Sequence, residues 1–201
     1  MTVDELITDI GHHLQDPSHA VVNTTQTVGF INDAAFDAAN EGWVLKMDDD
    51  VSVTVADGTF EYAVPANFVY IYELRDQTNY TDLNVIHPSY WKIEDGVTPV
   101  IRFSRDLYDS TTGAGALQIK GYKRPNQAYV AGTGTIDAGM ESFLRERAVA
   151  YAARNVSKGS SGRAQAYVRL AETAWLRSES LMEDQQDLFR PLSYARRVYG
   201  R

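Results

Sequence analysis

Apolar positions recur with a helical period at both ends of the chain and with a strand period in the middle. Near the N-terminus Val3, Leu6, Ile7, Ile10 and Leu14 mark one helix face, and Thr2 with Glu5 matches a Thr-x-x-Glu capping box. Asp16-Pro17-Ser18 ends that helix, because the residue before proline avoids the α region. A polar stretch, Asn23-Thr24-Thr25-Gln26, leads into a second helix with Val28, Ile31, Ala35, Phe36 and Ala39 on one face and a stop at Gly42. Trp43, Val44 and Leu45 are expected to dock on the core as the chain leaves it. Two longer patterns lie between Asp137 and Gln186. The first is Met140, Phe143, Leu144, Ala148, Tyr151, Ala152 and Val156, and the second is Tyr167, Leu170, Ala171, Ala174, Trp175, Leu181 and Met182. The polar, Gly-rich turn 157–162 separates them, which predicts an antiparallel helix hairpin, and the many alanines let its helices approach closely. Asp137 is the expected N-cap, with Glu141 in the first turn.

Between these helical ends the period drops to two. Val51, Val53 and Val55 alternate with polar residues, Asp57-Gly58 signals a turn, and Phe60, Tyr62 and Val64 alternate on the way back, predicting a hairpin. Phe68 to Leu74, Val100 to Phe103 and Ala116 to Tyr122 read as further strands. The predicted class is α+β: a helical core from residues 1–46 and 137–186, an inserted β-sandwich-like lobe from 47–136, and an extended C-terminal arm from 187–201.

Composition narrows the class of function. The 201 residues are 44% hydrophobic and 23% charged, which suits a packed protein rather than a disordered one. The absence of cysteine excludes a disulfide framework. The N-terminus has no basic region followed by an apolar core, and no apolar run approaches the roughly 20 residues that cross a bilayer, so a soluble protein of the cytoplasm in which it is made is expected. Charge is uneven. Residues 1–136 hold 8 basic and 19 acidic side chains, a net of −11, whereas residues 137–201 hold 11 and 8, a net of +3. The overall −8 argues against a sequence-specific DNA binder, but does not exclude a surface that DNA slides past, because an acidic wall repels phosphate.

Catalytic chemistry does not emerge. Asp48-Asp49-Asp50 lacks the alternating ligands, central glycine and distal glutamate of a calcium loop, and reads as a solvated loop before a strand. His12 and His13 point about 100° apart on a helix, a poor metal pair. There is no nucleophile elbow and no phosphate loop. No catalytic, cofactor-binding or metal-binding residue is therefore assigned, and no enzyme activity is expected. An alternative reading makes the β lobe a carbohydrate- or protein-recognition module of a virion, with Tyr90 and Trp91 exposed for stacking.

The layout resembles the head-to-tail adaptor, or connector, proteins of tailed bacteriophages. The resemblance is carried by Phe30-Ile31-Asn32-Asp33-Ala34 continuing to Ala39, and by the turn, strand and Pro-x-x-Phe step from Ala56 to Phe68. Leu117-Gln118-Ile119-Lys120-Gly121-Tyr122 before Pro125, and the Ala-rich hairpin with Trp175 and Leu181-Met182, complete it over residues 3–185. The resemblance implies a structural protein of the virion neck, assembled in the host cytoplasm. It would form a homo-oligomeric ring, a dodecamer matching the portal protein, extend the channel for non-specific passage of double-stranded DNA, and offer a platform to a downstream tail or neck protein. It also implies a portal-binding C-terminal arm, here carrying Phe189, Arg190, Tyr194, Arg196, Arg197, Tyr199 and Arg201. Arginines placed on the outer faces of the hairpin, Arg147, Arg154, Arg169 and Arg177, are the expected subunit interface, facing acidic groups of a neighbour.

Overall fold

The computed structural model describes residues 1–66, 68–76, 84–108, 115–158, 164–188 and 196–197. Helices and antiparallel strands are both present, so the protein is α+β. It divides into two compact units, Met1–Trp43 with Pro125–Phe189 and Val44–Arg124 with Arg190–Arg201. These limits differ from those read in the sequence chiefly at residues 125–136, which join the helices.

Among the described residues, the first unit is built from four helices. In α1 (Val3–His13) the expected capping box is present. The Glu5 backbone N–H donates to Thr2 Oγ1 and the Thr2 N–H to Glu5 Oε2, at 3.2 and 2.7 Å. A second box, unrecognised in the polar stretch, opens α2 (Thr24–Asn40): Asn23 is the N-cap and Gln26 reaches back to it. The loop between α1 and α2 is wrapped around the buried Asp16, which accepts from the N–H groups of Ala20, Val21 and Val22, each at 2.9 Å. Burial pushes its carboxyl group up, but these three donors outweigh that and hold it below the ordinary range.

The hairpin consists of α3 (Glu141–Ser157) and α4 (Ala164–Leu188), which make the largest helix contact in the unit. Four alanines of α3, Ala148, Ala150, Ala152 and Ala153, are fully buried, so neighbours approach α3 from several sides. Trp43 is buried and packs on Phe143 with ring centres 5.0 Å apart. The start of α3 corrects one expectation. Met140, not Asp137, is the N-cap residue. Asp137 instead accepts from the Asn126 N–H and the Tyr129 hydroxyl, at 2.7 and 3.1 Å. The same segment is tied to α2 by Asn32, whose amide donates to the Tyr129 carbonyl and accepts from the Tyr129 N–H. Gly132 N–H donates to Asp4 of α1, and Thr2 bridges to Thr135. These bonds explain why 125–136 belongs with the helices.

Among the described residues, the second unit holds two antiparallel sheets. One runs in the order β1 (Leu45–Thr54), β7 (Ala116–Lys123), β3 (Phe68–Asp76), β4 (Asn84–Val85), with β8 (Arg196–Arg197) also on β3. The other runs β2 (Glu61–Ala63), β6 (Val100–Phe103), β5 (Trp91–Glu94). One apolar cluster joins them, including Val55, Phe68, Ile71, Leu74, Trp91, Ile101, Phe103, Leu117 and Ile119. The Asp-Gly turn is real, with Gly58 at φ 66 and the Thr59 N–H donating to the Ala56 carbonyl. The strands on either side do not form the expected hairpin: β1 pairs with β7 and β2 with β6. Asp48-Asp49-Asp50 lies inside β1 rather than in a loop before it. The register with β7 shifts between Met47 and Val51, so the acidic run fills an irregular stretch of an edge strand.

Gly121 in β7 is required by close approach. A Cβ there would run into the Tyr70 carbonyl and lie 2.8 Å from the Phe68 ring. Gly121→Ala is therefore expected to destabilise the β unit by about 1–3 kcal/mol, measured as a lowered midpoint in chemical denaturation. An unchanged midpoint would show that the β3–β7 ladder yields freely at this point.

Candidate assembly surfaces

The chemistry of the helical unit centres on α3. A surface helix buries a stripe of three to four residues in every two turns, but α3 buries almost the whole run from 143 to 153: Phe143, Leu144, Glu146, Arg147, Ala148, Val149, Ala150, Ala152 and Ala153. Arg147 is thus not on an outer face, contrary to the sequence expectation; it is fully buried. Its Nη2 donates to Glu179 of α4 at 2.6 Å and lies 3.8 Å from Glu41 at the end of α2. Its guanidinium is 3.8 Å from the centre of the Trp175 ring and 5.3 Å from that of Phe143. Nε and Nη1 have no hydrogen-bond partner among the described residues, and the two ring faces take that place. Burial raises the Glu41 carboxyl above its ordinary range, against the opposing pull of Arg147.

Other polar groups extend this network. Arg154, exposed, also lies over Trp175, at 4.3 Å. Tyr151 packs edge-on against Trp175 and donates its hydroxyl proton to Asp37 of α2. Burial and that hydrogen bond push the phenol well up, so it stays protonated as a donor. Arg145 reaches Asp9 of α1 at 3.1 Å, and the buried Glu146 lies 3.5 Å from Arg145 and 3.8 Å from Arg177. Arg177 remains mostly exposed, and Arg169 is exposed with no ion-pair partner among the described residues. Of the four arginines expected at an interface, Arg154, Arg169 and Arg177 are at the surface.

Two surface stripes follow. On α2, Gln26, Gly29, Asp33, Phe36 and Asn40 are all exposed at steps of three and four, with Phe36 at 55%. On α4, Gln165, Val168, Glu172 and Leu176 do the same, with Leu176 at 69% and Arg169 beside Val168. The inward face of α4 is Tyr167, Ala171, Ala174, Ser178 and Met182. Sequence periodicity had placed Phe36 on the inner face of α2; there Ala34, Ala35 and Ala38 fill the space against the rest of the unit.

Of the C-terminal arm, Arg196 and Arg197 form β8, pairing antiparallel with Ile71 and Tyr70 of β3. Phe189, Arg190, Tyr194, Tyr199 and Arg201 lie outside the described residues, and α4 continues through residues 187 and 188, which had been read as arm. In the β unit, Trp91 is not exposed but belongs to the apolar cluster, leaving Tyr90 alone at the surface with Arg105 5.6 Å from its ring. A flat two-ring platform for a sugar is therefore not formed by this pair. Among the described residues, no group of three or more His, Asp or Glu side chains is placed to hold a metal ion, and no helix is long and apolar enough to cross a membrane.

Removing the buried guanidinium leaves a void between α3 and α4 and a bare face on Trp175. Arg147→Ala is expected to cost about 3 kcal/mol, and Arg147→Lys to recover less than half of it, since an ammonium cannot lie flat on the ring while reaching Glu179. Denaturant unfolding followed by tryptophan fluorescence measures both. A lysine variant as stable as the parent would show that charge alone, not stacking, is what the site needs.

The family model of the SU10 adaptor protein matches residues 1–195. No curated protein matches the chain.

Proposed function

We infer the role of this chain from the family to which it belongs: it is a member of the SU10 adaptor protein family, a phage head-to-tail adaptor protein. The match over nearly the whole chain carries this reading. Within it, copies of the chain assemble as a ring beneath the portal, extend the channel through which double-stranded DNA passes, and present a platform to the next tail or neck component. The ring is a dodecamer that follows the symmetry of the portal, and the work is structural rather than catalytic. The net charge of −8 supports passage without retention, because an acidic wall does not hold phosphates.

In this reading the segment after α4 is the portal-docking arm. Its sequence supports that use: Phe189, Tyr194 and Tyr199 offer aromatic anchors, while Arg190, Arg196, Arg197 and Arg201 offer partners for carboxylates. Docking would compete with the pairing of Arg196 and Arg197 on β3. That pairing involves only two residues, and a two-residue strand opens at low cost.

Deleting residues 189–201 is expected to abolish binding to purified portal while leaving the helical circular-dichroism signal intact. Portal binding that survives the deletion would remove the arm from the docking role. Particles made without the protein are expected to lose DNA through an open neck; a normal closed neck in such particles, seen by electron microscopy, would contradict the adaptor ring itself.

A further inference from the structure

Two helices, α2 and α4, pack along different flanks of α3, and each turns one face to solvent. These two faces are unlike. The chain carries no Lys, Arg or His between His19 and Lys46, so α2 has no basic side chain, and its exposed Asp33 has no ion-pair or hydrogen-bond partner among the described residues. The α4 side combines Val168, Glu172 and Leu176 with Arg169, which has no ion-pair partner among the described residues.

Gly29 supplies a second, independent observation. A glycine inside a helix costs stability relative to alanine, and its bare backbone admits another chain closely. Gly29 has no such reason within its own protomer, for a Cβ there would meet nothing within 4 Å, and its φ is not in the left-handed region. It sits on the exposed stripe, between the charge of Asp33 on one side and Gln26 on the other, with the exposed Phe36 two turns along. The stripe thus has a gap, a charge and an aromatic knob, and among the described residues nothing of its own protomer covers it.

We propose that the outer face of α4 in one copy seats on the outer face of α2 in the next. Val168 and Leu176 pack beside Phe36 and across the gap at Gly29, and Arg169 faces Asp33. The inference rests on the adaptor-ring reading and names the surface by which its subunits meet. Because the two faces differ, the contact is head-to-tail: each copy keeps a free α2 face at one side and a free α4 face at the other. Such a contact closes into a ring when the rotation between copies is right. A contact of α2 with α2, by contrast, would bring Asp33 against its own copy and stop at a dimer.

The test uses the full chain mixed with purified portal, with the number of copies per portal counted by electron microscopy. Gly29→Leu is expected to keep or raise the unfolding temperature of the isolated protein, since leucine favours a helix and meets nothing in the protomer, yet to weaken ring formation at least about tenfold. Asp33→Arg and Arg169→Asp are each expected to weaken it, and the double variant to recover most of the loss. Gly29→Leu rings that fill as the parent's do would overturn the proposed contact and leave the adaptor ring standing. A double variant no better than the single ones would likewise overturn the pairing of Asp33 with Arg169. If the parent chain itself forms no ring on the portal, both the ring and the contact fall.

Discussion

The helical unit depends on the burial of one charged group. Arg147 sits on a helix walled by α2 and α4, with no exposed surface. A guanidinium there is tolerable only because Glu179 takes one hydrogen bond, Glu41 lies near, and the rings of Trp175 and Phe143 cover what the carboxylates do not reach. The group is always charged, so the arrangement must be complete for the unit to fold. It thereby fixes three elements at once: the end of α2, the middle of α3 and the middle of α4. With α3 enclosed, α2 and α4 are left as the flanking helices, and their outward faces become the surfaces available to other chains.

That constraint connects packing to assembly. An adaptor has to be rigid where copies meet and adaptable where it engages unlike partners. The α3–α4 hairpin and the cross-ties to α1 and α2, Arg145 to Asp9 and Tyr151 to Asp37, provide rigidity with side chains on neighbouring helices. In the proposed docking, the β3 edge and its two-residue guest strand are the adaptable part, because a strand of two residues opens at low cost.

Much of the fold was legible because it is local. The Thr2–Glu5 box and the 3.6-residue patterns of α1, α2 and the hairpin are set by neighbours in sequence, and they appear where the patterns put them. The resemblance to phage adaptors rested on the order of such local pieces and agrees with the family match. What failed was non-local. The Asp-Gly turn at Gly58 is genuine, yet its flanking strands separate into two sheets, and no property of residues 51–64 tells which partner each will take. Arg147 was read as a surface residue because arginine usually is one. Its burial depends on Trp175 and Glu179, about 30 residues away, and on alanines that narrow α3 on its other sides. The run of small residues after Arg147 was the available signal: Ala148, Ala150, Ala152 and Ala153 let neighbouring elements close over the middle of α3. Asp137 looked like a cap by type and position, but the N–H of Asn126 and the hydroxyl of Tyr129 claim it first.

In the proposed assembly, identical copies form a ring on the portal, joined head-to-tail through the helical unit. A cryo-electron microscopy reconstruction of the full-length protein bound to purified portal measures this directly. The expected map shows a closed ring coaxial with the portal channel, with α2 of each copy against α4 of the next. Isolated copies on the portal, or copies related by two-fold axes with like helices facing each other, would contradict it.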